Sequence, residues 1–142
     1  MTYSDHAKEV LSKNSYKLTK SRLLIIDFFE TSVSPVNAYG VMESISSYNK
    51  KVDVVSVYRT LALFKKLDLV HELSDGKFVS CQKFGCTDLS HCHHQFVCMS
   101  CHEIEELHIN DKNFVSKLAK LFPKLSINSH HFTFEGLCEK CK

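Results

Sequence analysis

A chain of 142 residues, 44% hydrophobic and 24% charged, has ordinary globular composition and room for one average domain or two small ones. Its longest strongly apolar run, Leu23 to Phe29, is broken by Asp27 and falls far short of the roughly 18–20 residues of a membrane span, which excludes a membrane-spanning reading. The net charge of +2 is unevenly placed: residues 1–83 hold 12 Lys and Arg against 9 Asp and Glu, residues 84–142 hold 6 against 7, and the sign permits a phosphate-binding first half.

In chain order, residues 4–13 can form a short helix, and Thr19 is a plausible N-cap for a second through Leu23, Ile26 and Phe29. Asn37 caps a third helix carrying Val41, Met42 and Ile45, which the polar stretch Ser46 to Asp53 ends. A fourth, from about Val55 to Lys66, places Val57, Leu61 and Phe64 on one face and Arg59, Lys65 and Lys66 elsewhere. Residues 69–81 read as two short strands joined at Asp75-Gly76, with a type I′ turn. Helices followed by a hairpin form the winged-helix pattern. Gln82 to Ser90 has turn residues and no period, so a hinge is expected at 83–90, between a winged-helix domain at 1–82 and a second domain at 91–142. That second domain should hold strands at Gln95–Cys98 and Glu103–Leu107, a helix from about Asp111 to Phe122 and a last strand from Leu125 to Phe134. The expected fold class is α+β.

The N-terminus lacks a basic start followed by an apolar stretch, so a cytoplasmic location is expected. In a reducing compartment the seven cysteines read as metal ligands or catalytic groups rather than disulfides. All seven lie from Cys81 onward, as do seven of the nine histidines. Cys98-x-x-Cys101 and Cys138-x-x-Cys141 each let two thiolates from one turn meet the same tetrahedral ion, and together they predict one structural zinc. A domain of roughly 50 residues buries too little apolar surface to be stable without such a staple.

Cys81, Cys86, Cys92, His71, His91, His93, His94, His102, His108, His130 and His131 remain, enough soft and imidazole donors for a second metal site. The plainer alternative makes His91 to His94 a solvated loop. His71 and Cys81 fall on the two strands of the hairpin and His91 just past the hinge, so metal binding there would fix the angle between domains. A third site using Cys92 or His94 with His130 is a further option.

A winged helix places one helix in the major groove of duplex DNA. Here Arg59 suits a bidentate contact to guanine, and Tyr58 a thymine methyl or a phosphate. Lys17, Lys20, Arg22, Lys50, Lys51, Lys65, Lys66 and Lys77 are candidates for phosphate contacts, although any single lysine is as readily a solvated side chain.

V-Y-R-T-L at 57–61, D-G-K-F at 75–78, the histidines ahead of Cys98-x-x-Cys101 and G-L-C-x-x-C at 136–141 carry a resemblance. Over nearly its whole length the chain is similar to the ferric uptake regulator family of bacterial metal-sensing repressors. The resemblance implies a DNA-binding winged-helix domain, a C-terminal α/β dimerisation domain, a four-cysteine structural zinc and a regulatory metal at the hinge. The chain departs from the family's iron-sensing pattern at Pro35, Cys81 and Gln95, where histidine, glutamate and histidine are expected. It is closer to the zinc uptake regulators within the family, whose regulatory ligands correspond to His71, Cys81, His91 and Glu106, with His93 as an alternative to His91. A thiolate in place of a carboxylate favours tetrahedral zinc over six-coordinate iron. The implied function is a zinc-responsive, homodimeric repressor of metal-uptake genes acting on a double-stranded operator, not an enzyme. An iron(II)- or peroxide-responsive repressor is the alternative. A thiol redox protein is a poorer fit, because no Gly-rich cofactor loop or nucleophile triad is present.

Overall fold

The structure, a computed structural model, describes residues 1–32, 34–81, 93–127, 130 and 132–142, without the side chains of His93 and His108. The chain divides into two compact units, Met1–Phe84 and Gly85–Lys142. The expected hinge at 83–90 lies outside the described residues.

The first unit is built on capped helices. Helix α1 (Tyr3–Lys13) starts with a capping box, in which the Thr2 hydroxyl accepts from the Asp5 amide and the Asp5 carboxylate accepts from the Thr2 amide. Helix α2 (Lys20–Thr31) is capped by Thr19, α3 (Ala38–Ser47) by Asn37 and α4 (Val54–Lys66) by Asp53, each through a side-chain oxygen on an otherwise orphaned amide. The Gly40 amide donates to Asn37 Oδ1 at 2.8 Å, and Gly40 sits where a Cβ would be 2.7 Å from the Val36 side chain. The helices bury Ala7 and Leu11, Ile25, Ile26 and Phe29, Val41 and Ile45, and Val57, Leu61 and Phe64 in one core. Each large side chain there contributes about 1.5–3 kcal/mol.

Strands β1 (Val70–Glu72) and β2 (Phe78–Ser80) form an antiparallel ribbon with His71 opposite Val79. Val36 exchanges both backbone hydrogen bonds with Phe78, which ties the ribbon to the α2–α3 connection. The hairpin differs from the expected type I′ turn. The Gly76 amide bonds the Leu73 carbonyl and the Leu73 amide the Lys77 carbonyl, while only Gly76 has positive φ, at 79°. Type I′ needs positive φ at both central residues, whereas this loop is a type I turn ending in a glycine bulge. Three helices closed by a ribbon make this unit a winged helix, with α1 added in front.

The second unit holds β3 (His93–Cys98), β4 (Ile104–His108), α5 (Lys112–Leu121) and β5 (Thr133–Gly136). The sheet order is β4-β3-β5, with β3 antiparallel to β4 and parallel to β5. The last strand was expected from Leu125, but β5 begins at Thr133, because Pro123 offers no amide and the Leu125 amide turns back onto the Phe122 carbonyl. No residue of α5 is buried, and Phe114, Leu121, Phe122 and Leu125 stand exposed. The structure is thus α+β, and no described helix is long and apolar enough to cross a membrane.

Candidate metal centres and nucleic-acid interface

The four-cysteine centre follows from the parallel pairing of β3 and β5. Their register sets Cys98 opposite Gly136, so both strands deliver their Cys-x-x-Cys turns to one end of the sheet. The turns are laced together: the Met99 amide bonds the Gly136 carbonyl at 2.7 Å, and the Cys138 amide donates to Cys98 Sγ at 3.4 Å. Gly136 leaves room for the Phe96 ring, whose Cε2 would lie 3.2 Å from an added Cβ. His102, after the first pair, has φ of 60°, and its amide bonds the Cys98 carbonyl.

The four sulfurs lie within 4.8 Å of one another, and Cys101 Sγ is 3.7 Å from Cys138 Sγ. Tetrahedral zinc with bonds of about 2.3 Å requires sulfurs about 3.8 Å apart, so the donor set fits the ion. The proton balance agrees. Amide donors, Cys138 first and then Cys101, lower the Cys98 thiol to about 6. The Glu103 amide acts the same way on Cys101, yet the Cys98 thiol, burial and the other sulfurs together push it up to about 12. The Cys138 thiol likewise raises Cys141. Four thiolates this close cannot coexist without a cation.

A second cluster joins His94, Asp111 and His130. His94, fully buried on β3, accepts the Phe132 amide on Nδ1 at 2.8 Å, which leaves its proton on Nε2 for Asp111 Oδ2, also 2.8 Å away. His130 Nε2 meets the same oxygen. Burial acts against the Asp111 carboxylate, but bonds from His130 and His94 hold its pKa below the usual range. Asp111 occupies the N-cap position of α5, and its carbonyl accepts from the Val115 amide, yet its side chain makes no capping bond. To hold an ion here, the two Nε2 atoms would give up their protons and the Phe132 amide would compete for His94 Nδ1. The pairing of His94 with His130 was an option in the sequence. Asp111 was not, since the sequence placed it simply as the first residue of a helix.

Of the expected regulatory ligands, His71 and Cys81 belong to the first unit. The Cys81 amide extends the ribbon by bonding the Leu69 carbonyl, so the register puts Cys81 diagonally across from His71 on the same face. Cys81 is buried and His71 half-buried. The Tyr3 hydroxyl is buried too, and its ionisation is pushed up by burial, then by Cys81 and Glu30. Glu106 is half-buried on β4, opposite Gln95. His93 is the first residue of β3, and His91, Cys86 and Cys92 lie outside the described residues.

On α4 the solvent-facing row is Val55, Tyr58, Arg59 and Ala62, followed by Lys65 and Lys66. This mixed apolar and basic face suits a major groove. Lys17, Lys20, Lys50 and Lys51 are exposed. Three other expected phosphate contacts are engaged locally: Arg22 donates to the Lys17 carbonyl at 2.5 Å and lies over the Tyr16 ring, Lys77 pairs with Asp75, and Lys65 pairs with Glu72.

The sequence profile of the ferric uptake regulator family matches residues 13–141. The ferric uptake regulation protein of Bacillus subtilis is 29% identical over 138 residues, 96% of this chain and 93% of its own. The peroxide-responsive repressor PerR of Staphylococcus epidermidis is 26% identical over 132 residues, 93% of this chain and 85% of its own. Among solved structures, a zinc uptake regulator complexed with zinc and DNA aligns with a TM-score of 0.75 at 19% identity, covering 96% of this chain and 91% of that one. With a winged helix, a four-thiol centre and a family match over most of its length, the chain belongs to the ferric uptake regulator family of metal-responsive, DNA-binding transcription regulators.

Proposed function

We propose that the chain is a zinc-responsive transcriptional repressor of metal-uptake genes, binding a double-stranded operator as a homodimer in the cytoplasm. In this reading residues 1–82 bind DNA, 83–90 are the hinge and 91–142 form the dimerisation domain. Cys98, Cys101, Cys138 and Cys141 hold a structural zinc. His71, Cys81, His91 and Glu106, with His93 the alternative to His91, hold the regulatory zinc. Tyr58, Arg59, Lys17 and Lys20 contact DNA, and Arg22 and Lys77 would first exchange their present partners.

The observation that carries the zinc reading is Cys81, a buried thiol sharing a ribbon face with His71 where the iron-sensing pattern has a carboxylate. A thiolate and an imidazole together favour tetrahedral zinc. The homodimer is supported by α5, an amphipathic helix with no buried residue in its own chain. Zinc can favour the DNA-competent arrangement only by its differential affinity, and couplings of this kind are about 1–3 kcal/mol.

The test is operator binding by Cys81→Ala and His71→Ala variants across free zinc concentrations. Zinc dependence displaced by about tenfold or more upward supports the reading, and unchanged dependence refutes this ligand set. The second reading, an iron(II)- or peroxide-responsive repressor, is favoured by the names of the curated relatives. It requires activation by Fe(II) at free concentrations where Zn(II) is without effect, or loss of DNA binding on peroxide treatment.

A further inference from the structure

Tyr39 and Tyr58 meet in the open. Their ring centroids are 6.4 Å apart at an interplanar angle of 86°, an edge-to-face contact between the first turn of α3 and the outer row of α4. Tyr39 is 54% exposed and Tyr58 51% exposed, and neither belongs to the buried core cluster. In isolation an exposed tyrosine on α4 would sample its χ1 wells freely. The Tyr39 ring stands beside it and removes part of that freedom, holding Tyr58 in the row with Val55, Arg59 and Ala62.

We infer that Tyr39 is a positioning residue for sequence recognition, which orients Tyr58 on the DNA-reading face of α4 through this edge-to-face contact. The inference rests on the DNA-binding reading above. It assigns Tyr39 no bond to the nucleic acid. The free energy of an aromatic pair is instead realised as pre-organisation, so less side-chain entropy is lost when Tyr58 meets a base. A phosphate-binding residue would act on every sequence alike, whereas a residue that orients Tyr58 acts only where Tyr58 discriminates.

The test uses the full chain, a duplex enriched from a random pool by metal-loaded wild-type protein, with zinc or iron(II), and a scrambled duplex of the same composition. Tyr39→Ala is expected to weaken binding to the enriched duplex about three- to tenfold, leaving the scrambled duplex and the salt dependence unchanged. Tyr39→Phe keeps the ring edge and should stay within about twofold. Tyr39→Leu, which keeps bulk without an aromatic edge and guards against a folding defect, should behave as Tyr39→Ala. In a Tyr58→Ala background the Tyr39→Ala change should cost nothing more. Additive losses would overturn the inference, as would equal weakening on both duplexes with a salt slope reduced by about one. If wild-type protein discriminates and Tyr39→Ala and Tyr39→Leu discriminate as well, the inference alone fails. If wild-type protein enriches nothing with either metal, the DNA-binding reading fails and the inference with it.

Discussion

Cys101 and Cys138 stand 3.7 Å apart, sulfur to sulfur, although 37 residues separate them in the chain. Among the described residues, no hydrophobic cluster of comparable depth supports that approach, since the buried core described above is confined to the first unit. Zinc binding to four thiolates is worth on the order of 10–16 kcal/mol in small peptides. With the proposed zinc at this site, its removal, or Cys138→Ser, should therefore abolish the melting transition of residues 85–142 and leave that of the helical unit. Zinc content by atomic spectroscopy should fall by one ion per chain in parallel. An unchanged melt after complete metal removal would show that the sulfurs do not depend on an ion.

The DNA-binding reading separates two kinds of contact, one made by Arg59 on α4 and one by Lys20 at the start of α2. Arg59→Ala should lower discrimination between an enriched and a scrambled duplex by about 1–3 kcal/mol. Lys20→Ala should instead weaken both equally and reduce the slope of log affinity against log salt by about one. Fluorescence anisotropy over a salt series distinguishes them, and a sequence-selective effect of Lys20→Ala would contradict the assignment.

Phe64 is fully buried where α4 crosses the core of the first unit. Phe64→Ala should cost about 3–5 kcal/mol, read as a lower urea midpoint of the helical transition. Zinc bound at the proposed four-cysteine site should be retained in this variant.

Asp53 caps α4 by accepting bonds from the Ser56 hydroxyl and amide, and those bonds lower its pKa in the folded state. A carboxylate whose folded pKa lies below its unfolded value of about 3.9 contributes stability above that value. The contribution is lost as pH falls from about 4 through the lower folded pKa. Asp53→Asn retains a neutral cap. It should be less stable than wild type at neutral pH, and urea titrations should show the gap closing as the pH is taken below about 4.

His102 adopts the left-handed region, with φ of 60°, in the turn that follows Cys101. Histidine tolerates this conformation better than most residues, and a β-branched side chain tolerates it least. His102→Val should cost about 1–2 kcal/mol in the zinc-loaded second unit, whereas His102→Gly should leave it nearly unchanged. Thermal melts of the zinc-loaded variants measure both.

The helices of the first unit were legible because apolar spacing and capping residues agree at Thr19 and Asn37, whereas Asp53, read only as the end of a polar stretch, proves to be the cap of α4. The ribbon was legible in place but not in turn type. Asp75-Gly76 suits more than one loop, and the choice was made by backbone bonds from Leu73 to Gly76 and Lys77. The cysteine pairs announced themselves by spacing, but their meeting depends on the register Cys98 to Gly136, a long-range pairing with no local signal. Asp111 was hidden for a different reason. Read as the first residue of a helix, it gave no sign that its carboxylate meets His94 and His130, 17 and 19 residues away.

The 37 residues between Cys101 and Cys138 also set an order of events for the newly made chain. Cys101 leaves the ribosome 37 residues ahead of Cys138, an interval of about 2–7 s at 5–20 residues per second. During that interval the first knuckle is half a coordination sphere, reduced and open to oxidants or to adventitious metals. Oxidation of Cys98 and Cys101 to a disulfide in that interval would remove half of the donors before Cys138 and Cys141 arrive.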